Sequence, residues 1–163
     1  MATSRLTAND LSHLRRCIAL AAEALAAGDA PFGSVLVAAN GIVQQEERNR
    51  TVTTGDQTRH PEIDLARWAA ANMNAEERAS ATVYTSGEHC PMCSAAHAWV
   101  GLGRIVYVAS ATQLKAWQSE WGVTSSPVAP LPIQQVAPRL VVEGPVAELE
   151  DDIQELHKRY AGL

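Results

Sequence analysis

The sequence predicts a three-layer α/β/α sandwich around a central mixed five-stranded sheet. Three observations carry this. Apolar residues recur at three- and four-residue steps near both ends of the chain, a hairpin signal follows the first such stretch, and short apolar runs then alternate with helical stretches. A helix, a hairpin and alternating strands and helices leave a sheet to be covered on both faces.

Taken in order, Leu11, Leu14, Ile18, Ala22 and Leu25 define an amphipathic helix over residues 8–27. Thr7 followed by Asp10 resembles a capping box, and Gly28 is a suitable stop. Ser34 to Ala39 and Ile42 to Arg48 flank Asn40-Gly41, which signals a hairpin with a type I′ turn. The polar stretch from Asn49 to Arg59 reads as a loop. Pro61 opens a second helix whose apolar face is Leu65, Trp68, Ala69 and Met73. Ala81 to Thr85 is a strand, Pro91 opens a helix running to about Leu102, and Arg104 to Ala109 is the next strand. A short helix is expected from about Ala111 to Trp121. Residues 122–138 hold four of the eight prolines and read as an irregular surface segment. Leu140 to Val142 is a last strand. Val146, Leu149, Ile153, Leu156 and Tyr160 then mark a C-terminal helix over about 145–162.

A chain of 163 residues supports one domain with a real core, spanning 1–163. Acidic residues outnumber basic ones 18 to 13, for a formal charge of -5. Proteins that bind polynucleotides neutralise phosphates with Lys and Arg, so this balance favours a small, near-neutral partner. No apolar run approaches the roughly 18 residues of a membrane span, and Met1 to Asp10 lacks a signal-peptide core. A cytoplasmic protein is expected. Two of the three cysteines form Cys90-Pro91-Met92-Cys93. In a reduced compartment this spacing points to metal or redox chemistry rather than a structural disulfide.

Two helix starts concentrate the chemistry: His60-Pro61-Glu62 and Cys90-Pro91-Met92-Cys93. A helix N-terminus carries unpaired N–H groups and positive partial charge, which favours thiolate, the metal-binding form of Cys. A catalytic zinc keeps three protein ligands and leaves the fourth position to water. His60, Cys90 and Cys93 meet that count for a Zn²⁺ ion. Glu62 lies two residues from the His and is free to move protons. Neither motif is specific alone. Together, in this order and separated by 27 residues, they match the H-x-E and P-C-x-x-C signature of zinc nucleobase deaminases. The match has one departure, since His89 stands where that signature has Pro.

The similarity extends to Pro31-Phe32-Gly33-Ser34, Asn49, Asp56, Thr58 and Glu88. Over about residues 8–110 the chain resembles the purine-type branch of the cytidine deaminase-like superfamily, which includes guanine, tRNA adenosine and fungal-type cytosine deaminases. The resemblance implies hydrolytic deamination of an aminoheterocycle, guanine first, by a homodimer with one zinc per subunit. It implies that Asn49 and the backbone at Gly33 and Ser34 hold the ring, and that the Glu88 carbonyl faces the departing amine. Trp99, six residues after Cys93, matches a Trp of guanine deaminases. Phe32 suits core or pocket, Trp99 suits pocket, core or dimer interface, and His89 is expected to point into the pocket. Trp117 and Trp121 with Glu120 lie near a region that often covers the active site in this family. Glu120, Asp29 or Glu143 would supply the acceptor a guanine ring requires.

The same residues fit other readings less well. A structural zinc site usually has four ligands, and a redox C-x-x-C has no need of His60-x-Glu62. A non-enzymatic scaffold has no need of an intact Glu62. A tRNA adenosine deaminase would carry an aromatic, basic C-terminal segment, whereas residues 145–163 hold five acidic residues against two Lys or Arg and contain no Phe. Cys17, His13, His97 and His157 read as packing or surface residues.

Overall fold

The computed structural model describes residues 6–163; the first five residues of the polar N-terminal stretch lie outside them. A five-stranded sheet in the order β2-β1-β3-β4-β5 forms the middle layer. Its strands are β1 (Gly33–Val37), β2 (Val43–Arg48), β3 (Thr82–Gly87), β4 (Ile105–Ala109) and β5 (Val142–Glu143). β1 pairs antiparallel with β2 and β3, while β3–β4 and β4–β5 are parallel. The sheet is therefore mixed, and the expected architecture is present.

Side chains alternate across the sheet and build one core on each face. Val35, Val37, Tyr84, Val106 and Val108 meet helix α1 (Ala8–Ala26), helix α6 (Ala111–Glu120) and the C-terminal helix α8 (Glu150–Tyr160). Leu36 and Val83 meet Leu65, Ala66 and Ala69 of α3 (Pro61–Asn72), with Ala96 of α5 (Pro91–Trp99) packed alongside. A smaller cluster joins Ile105 and Tyr107 to Ile133 on the short α7 (Ile133–Val136). Thr7 and Asp10 close the expected capping box: the Asp10 N–H donates to Thr7 Oγ1 at 3.1 Å and the Thr7 N–H to Asp10 Oδ2 at 2.8 Å. Cys17 is fully buried in the α1 core.

Several elements differ from expectation. The β1–β2 connection is not a type I′ turn, because Asn40 has negative φ; only Gly41 is left-handed, at φ +84°. The Gly41 N–H donates to Ala38 O, and the Ala38 N–H to Ile42 O. This is a three-residue loop closed by a glycine, in which one left-handed residue suffices. The polar 49–59 stretch contains a short helix, α2 (Thr51–Thr54). Its first-turn N–H groups at Val52 and Thr53 donate to the buried Asp29 carboxylate, a partner distant in sequence. A second unforeseen helix, α4 (Ala75–Ser80), is fixed by a capping box between Asn74 and Glu77. The C-terminal helix is shorter than 145–162: a 3₁₀ turn at Ala147–Leu149 precedes α8.

Candidate metal and substrate site

Two helix starts meet beside the end of β3. His60 caps α3 and Cys90 caps α5, both in extended backbone and both followed by Pro at the first helical position. Proline there loses no helical hydrogen bond and is pre-set for the turn. Glu62 and Cys93 lie within the first turns. Sγ of Cys90 is 3.5 Å, and Sγ of Cys93 3.7 Å, from Nδ1 of His60. Zinc bonds of the usual length at tetrahedral angles place sulfur and nitrogen donors about 3.6 Å apart. The donor set therefore fits a zinc ion, with three protein atoms and room in the chemistry for a fourth ligand. Among the described residues no other group of His, Cys, Asp and Glu converges this way.

The electrostatics suit that role. A hydrogen bond from Cys93 holds the Cys90 thiol down to about 4 against the opposing effect of burial, with His60 adding to the lowering. His60 is raised, chiefly by its hydrogen bond with Cys90. Glu62 is buried, and burial raises its carboxyl above the usual range, while His60 and a hydrogen bond from Thr85 pull the other way. Thr85 Oγ1 lies 3.0 Å from Glu62 Oε1.

A cavity of about 790 Å³ opens over this cluster, within the range that takes small molecules. Phe32, Asn49, Glu62, Glu88 and His157 line it, with Leu114, Lys115 and Gln118 of α6 and much of residues 122–131 as a further wall. The Asn49 carboxamide oxygen accepts from the Thr51 N–H at 3.0 Å and the Thr51 hydroxyl at 2.9 Å. Its NH₂ group is thereby left to donate. The Glu88 carboxylate accepts from the N–H groups of Ala111 and Ile133, at 3.0 and 2.9 Å. These bonds pin the backbone at the cavity edge.

Other expected site residues lie elsewhere. His89 is fully buried and turned away from the cavity, its ring 5.3 Å from that of His97. Glu88 and Cys90 line the cavity while His89 between them does not, the alternation expected of residues leaving a strand. Gly33 and Ser34 are buried and absent from the cavity wall. The Ser34 hydroxyl instead donates to Thr85 Oγ1 at 2.9 Å. Trp99 is 86% exposed on its own chain; six helical steps from Cys93 carry it about 240° round the helix. Glu120 is exposed and off the cavity wall. Asp29 is committed to Val52, Thr53 and Arg48, and Glu143 to Arg104. Of the two tryptophans near the expected cover, Trp117 is buried in the α1 core, with Trp121 packed against it.

Residues the sequence did not single out are Thr85, Thr51, His157 and the α6 and 122–131 walls. For His157 a signal existed, since it lies four positions after Ile153 on the buried stripe of α8.

Comparison with known proteins agrees with this geometry. Residues 7–109 match the cytidine and deoxycytidylate deaminase zinc-binding region. The guanine deaminase of Bacillus subtilis is 35% identical over 105 residues, covering 64% of this chain and 67% of that protein. A probable cytosine deaminase of Schizosaccharomyces pombe is also 35% identical, over 107 residues, 66% of this chain and 64% of that one. The matched region thus spans about two thirds of these relatives. A solved guanine deaminase structure from Nitrosomonas europaea shares the fold at a TM-score of 0.72 and 20% identity, over 97% of this chain and 87% of its own.

Proposed function

We propose, for a chain that belongs to the cytidine and deoxycytidylate deaminase zinc-binding family, that it hydrolytically removes the exocyclic amino group of a purine-like base, guanine first, releasing ammonia. The observation carrying this is the buried Glu62 carboxylate, in one cavity with the His60, Cys90 and Cys93 donors and the free amide NH₂ of Asn49.

His60, Cys90 and Cys93 would hold a zinc ion, which would supply Lewis-acid activation of water when bound. Glu62 takes a proton from the attacking water, gives one to the ring nitrogen and then passes one to the departing amine. Water and the amino-bearing ring thus become a ring carbonyl and ammonia. Thr85 orients the Glu62 carboxylate. Asn49 donates to a ring acceptor, Phe32 offers an apolar face, and the pinned Glu88 carbonyl meets the leaving NH₂. The similarity to the guanine deaminase of Bacillus subtilis supports guanine. A cytosine-type ring is the second reading, favoured by the equal identity to the Schizosaccharomyces pombe protein. The acidic balance of the chain disfavours an RNA substrate.

Residues 1–163 are read as one deaminase domain acting as a homodimer, whose second copy covers the exposed Trp99; light scattering tests the dimer. In the described residues no helix is long and apolar enough to cross a membrane, and a cytoplasmic location fits the reduced cysteines this site requires. Ammonia release by the zinc-loaded protein across guanine, cytosine, adenine, aminotriazines, their nucleosides and tRNA tests the reading. Guanine turning over fastest supports it; fastest turnover of cytosine replaces it with the second reading; silence across the panel removes it.

A further inference from the structure

The buried stripe of α8 brings one imidazole to the cavity wall. Ile153, Leu156 and His157 are its buried members, and His157 is only 6% exposed. Among the described residues only the His89 ring nitrogens are both sealed from solvent and without a partner, so the His157 nitrogens still reach the solvent that fills the cavity. Among the described residues the His157 imidazole forms no hydrogen bond; its contact is an edge-on approach to Phe32, with ring centroids 4.9 Å apart. Both rings line the cavity that holds Asn49, Glu62 and Cys90.

A guanine-type ring needs an acceptor for its N–H and NH₂ donors. The carboxylates that the sequence offers for this are engaged or absent from the cavity wall. Asp29 is saturated by Val52, Thr53 and Arg48, Glu143 is paired with Arg104, and Glu120 faces solvent. Glu88 reaches the wall, but its carboxylate caps Ala111 and Ile133. Burial holds His157 down to about 4, so at neutral pH the ring is uncharged and offers one lone pair and one N–H.

We propose that His157 is a specificity-determining residue, presenting an imidazole nitrogen from the C-terminal helix to the donor edge of an amino-oxo purine-type ring while Phe32 fixes the imidazole plane. The assignment rests on the guanine reading above. It makes the C-terminal helix part of the substrate pocket of its own chain rather than a mere cover for α1.

The test uses zinc-loaded protein titrated calorimetrically with 8-azaguanine, which keeps the 2-amino-6-oxo edge of guanine. His157→Phe preserves an aromatic ring against Phe32 and removes both nitrogens; His157→Gln keeps polar atoms. The expected result is full zinc content in both variants, 8-azaguanine binding weakened at least tenfold in His157→Phe, part of that recovered in His157→Gln, and a guanine KM that rises more than kcat falls. Binding by His157→Phe within twofold of wild type overturns the role of His157 and leaves the guanine reading intact. No binding of 8-azaguanine and no guanine turnover by the wild type overturns the guanine reading and this assignment with it. Should His157→Phe fail to fold, the ¹⁵N resonances of the wild-type His157 ring decide: a shift on adding 8-azaguanine supports the contact, and constancy overturns it.

Discussion

The Thr85 hydroxyl donates to Glu62 Oε1 at 3.0 Å and accepts from Ser34 Oγ at 2.9 Å, so one hydroxyl ties the end of the sheet to the proton-carrying carboxylate. Gly87 O lies 3.0 Å from the same oxygen, but Thr85 has one proton and a carboxylate is the stronger acceptor. The direction of the relay follows: Ser34 gives to Thr85, which gives to Glu62. Ser34, expected to hold the substrate directly, thus acts two bonds away.

The relay sets the first expectation. Thr85→Val keeps the shape of the side chain and removes the donor. Activity should fall about tenfold, the equivalent of about 1.4 kcal/mol in the transition state, with zinc content unchanged. A kcat equal to wild type would show that Glu62 needs no such support.

Glu62 and Cys90 should separate chemistry from metal binding. Glu62→Gln retains the cluster of three donors and is expected to keep one zinc while losing at least about two orders of magnitude in rate. Cys90→Ser removes a thiolate ligand and is expected to lose both zinc and activity. Metal analysis of the two purified variants beside their rates checks both. Normal turnover in the first, or stoichiometric zinc in the second, contradicts the assigned roles.

The metal cluster was legible in the sequence because its geometry is local. Each motif carries its own helix start, and Pro61 and Pro91 announce both. The sheet was legible for the same reason, from periodicity over a few residues. Side-chain direction was not. His89 adjoins Cys90 yet lies off the cavity wall, the alternation expected of residues leaving a strand. Trp99 has the spacing of a family match, but six helical steps carry it away from Cys93. The cavity walls from α6, residues 122–131 and α8 are tertiary placements, with no short-range signature beyond the polar His157 on an otherwise apolar stripe. α2 was hidden because the group that stabilises its first turn, Asp29, lies 23 and 24 residues upstream of the N–H groups it accepts from.

Asn49 offers a test of polarity. Its oxygen is occupied by Thr51, so the side chain can serve the ring only as a donor. Asn49→Asp preserves both Thr51 bonds and replaces the NH₂ by an acceptor. The fold and zinc should survive while KM rises at least about tenfold, the size expected for losing a well-placed hydrogen bond and gaining an unpaired charge. An unchanged KM would show that Asn49 contacts no ring acceptor.

Gly33 should prove a packing position. A Cβ there would sit 2.4 Å from Cys17 O, 2.4 Å from Leu20 Cβ and 2.8 Å from Ala21 N, which belong to α1. The helix backbone cannot yield as a flexible side chain would. Gly33→Ala is expected to destabilise the protein by about 2 kcal/mol or more through overpacking. Urea unfolding of zinc-loaded protein measures this. A loss confined to KM, with stability intact, would restore the direct substrate role that the sequence suggested.

Asp10 ties the other end of the sheet to α1 and makes stability pH-dependent. Its carboxylate receives the Tyr84 hydroxyl at 2.6 Å and the Arg104 guanidinium at 2.9 Å. Burial by itself pushes Asp10 up, but the hydrogen bonds from Arg104, Tyr84 and Thr7 outweigh it and hold the group well below the usual carboxylate range. A folded-state value below the unfolded one means the contribution is complete above the unfolded value, near 3.9, and drains away as pH falls toward the folded value. Asp10→Asn leaves Arg104 with Glu143 alone. It should destabilise the protein by about 2 kcal/mol at pH 7, and the gap to wild type should narrow by about 1 kcal/mol at pH 3, where the unfolded wild-type carboxylate has taken up its proton. Urea midpoints of both proteins at the two pH values check this. A gap of the same size at pH 3 and pH 7 would mean that the loss comes from packing and neutral hydrogen bonds, and that the Asp10–Arg104 charge pair adds nothing to the fold.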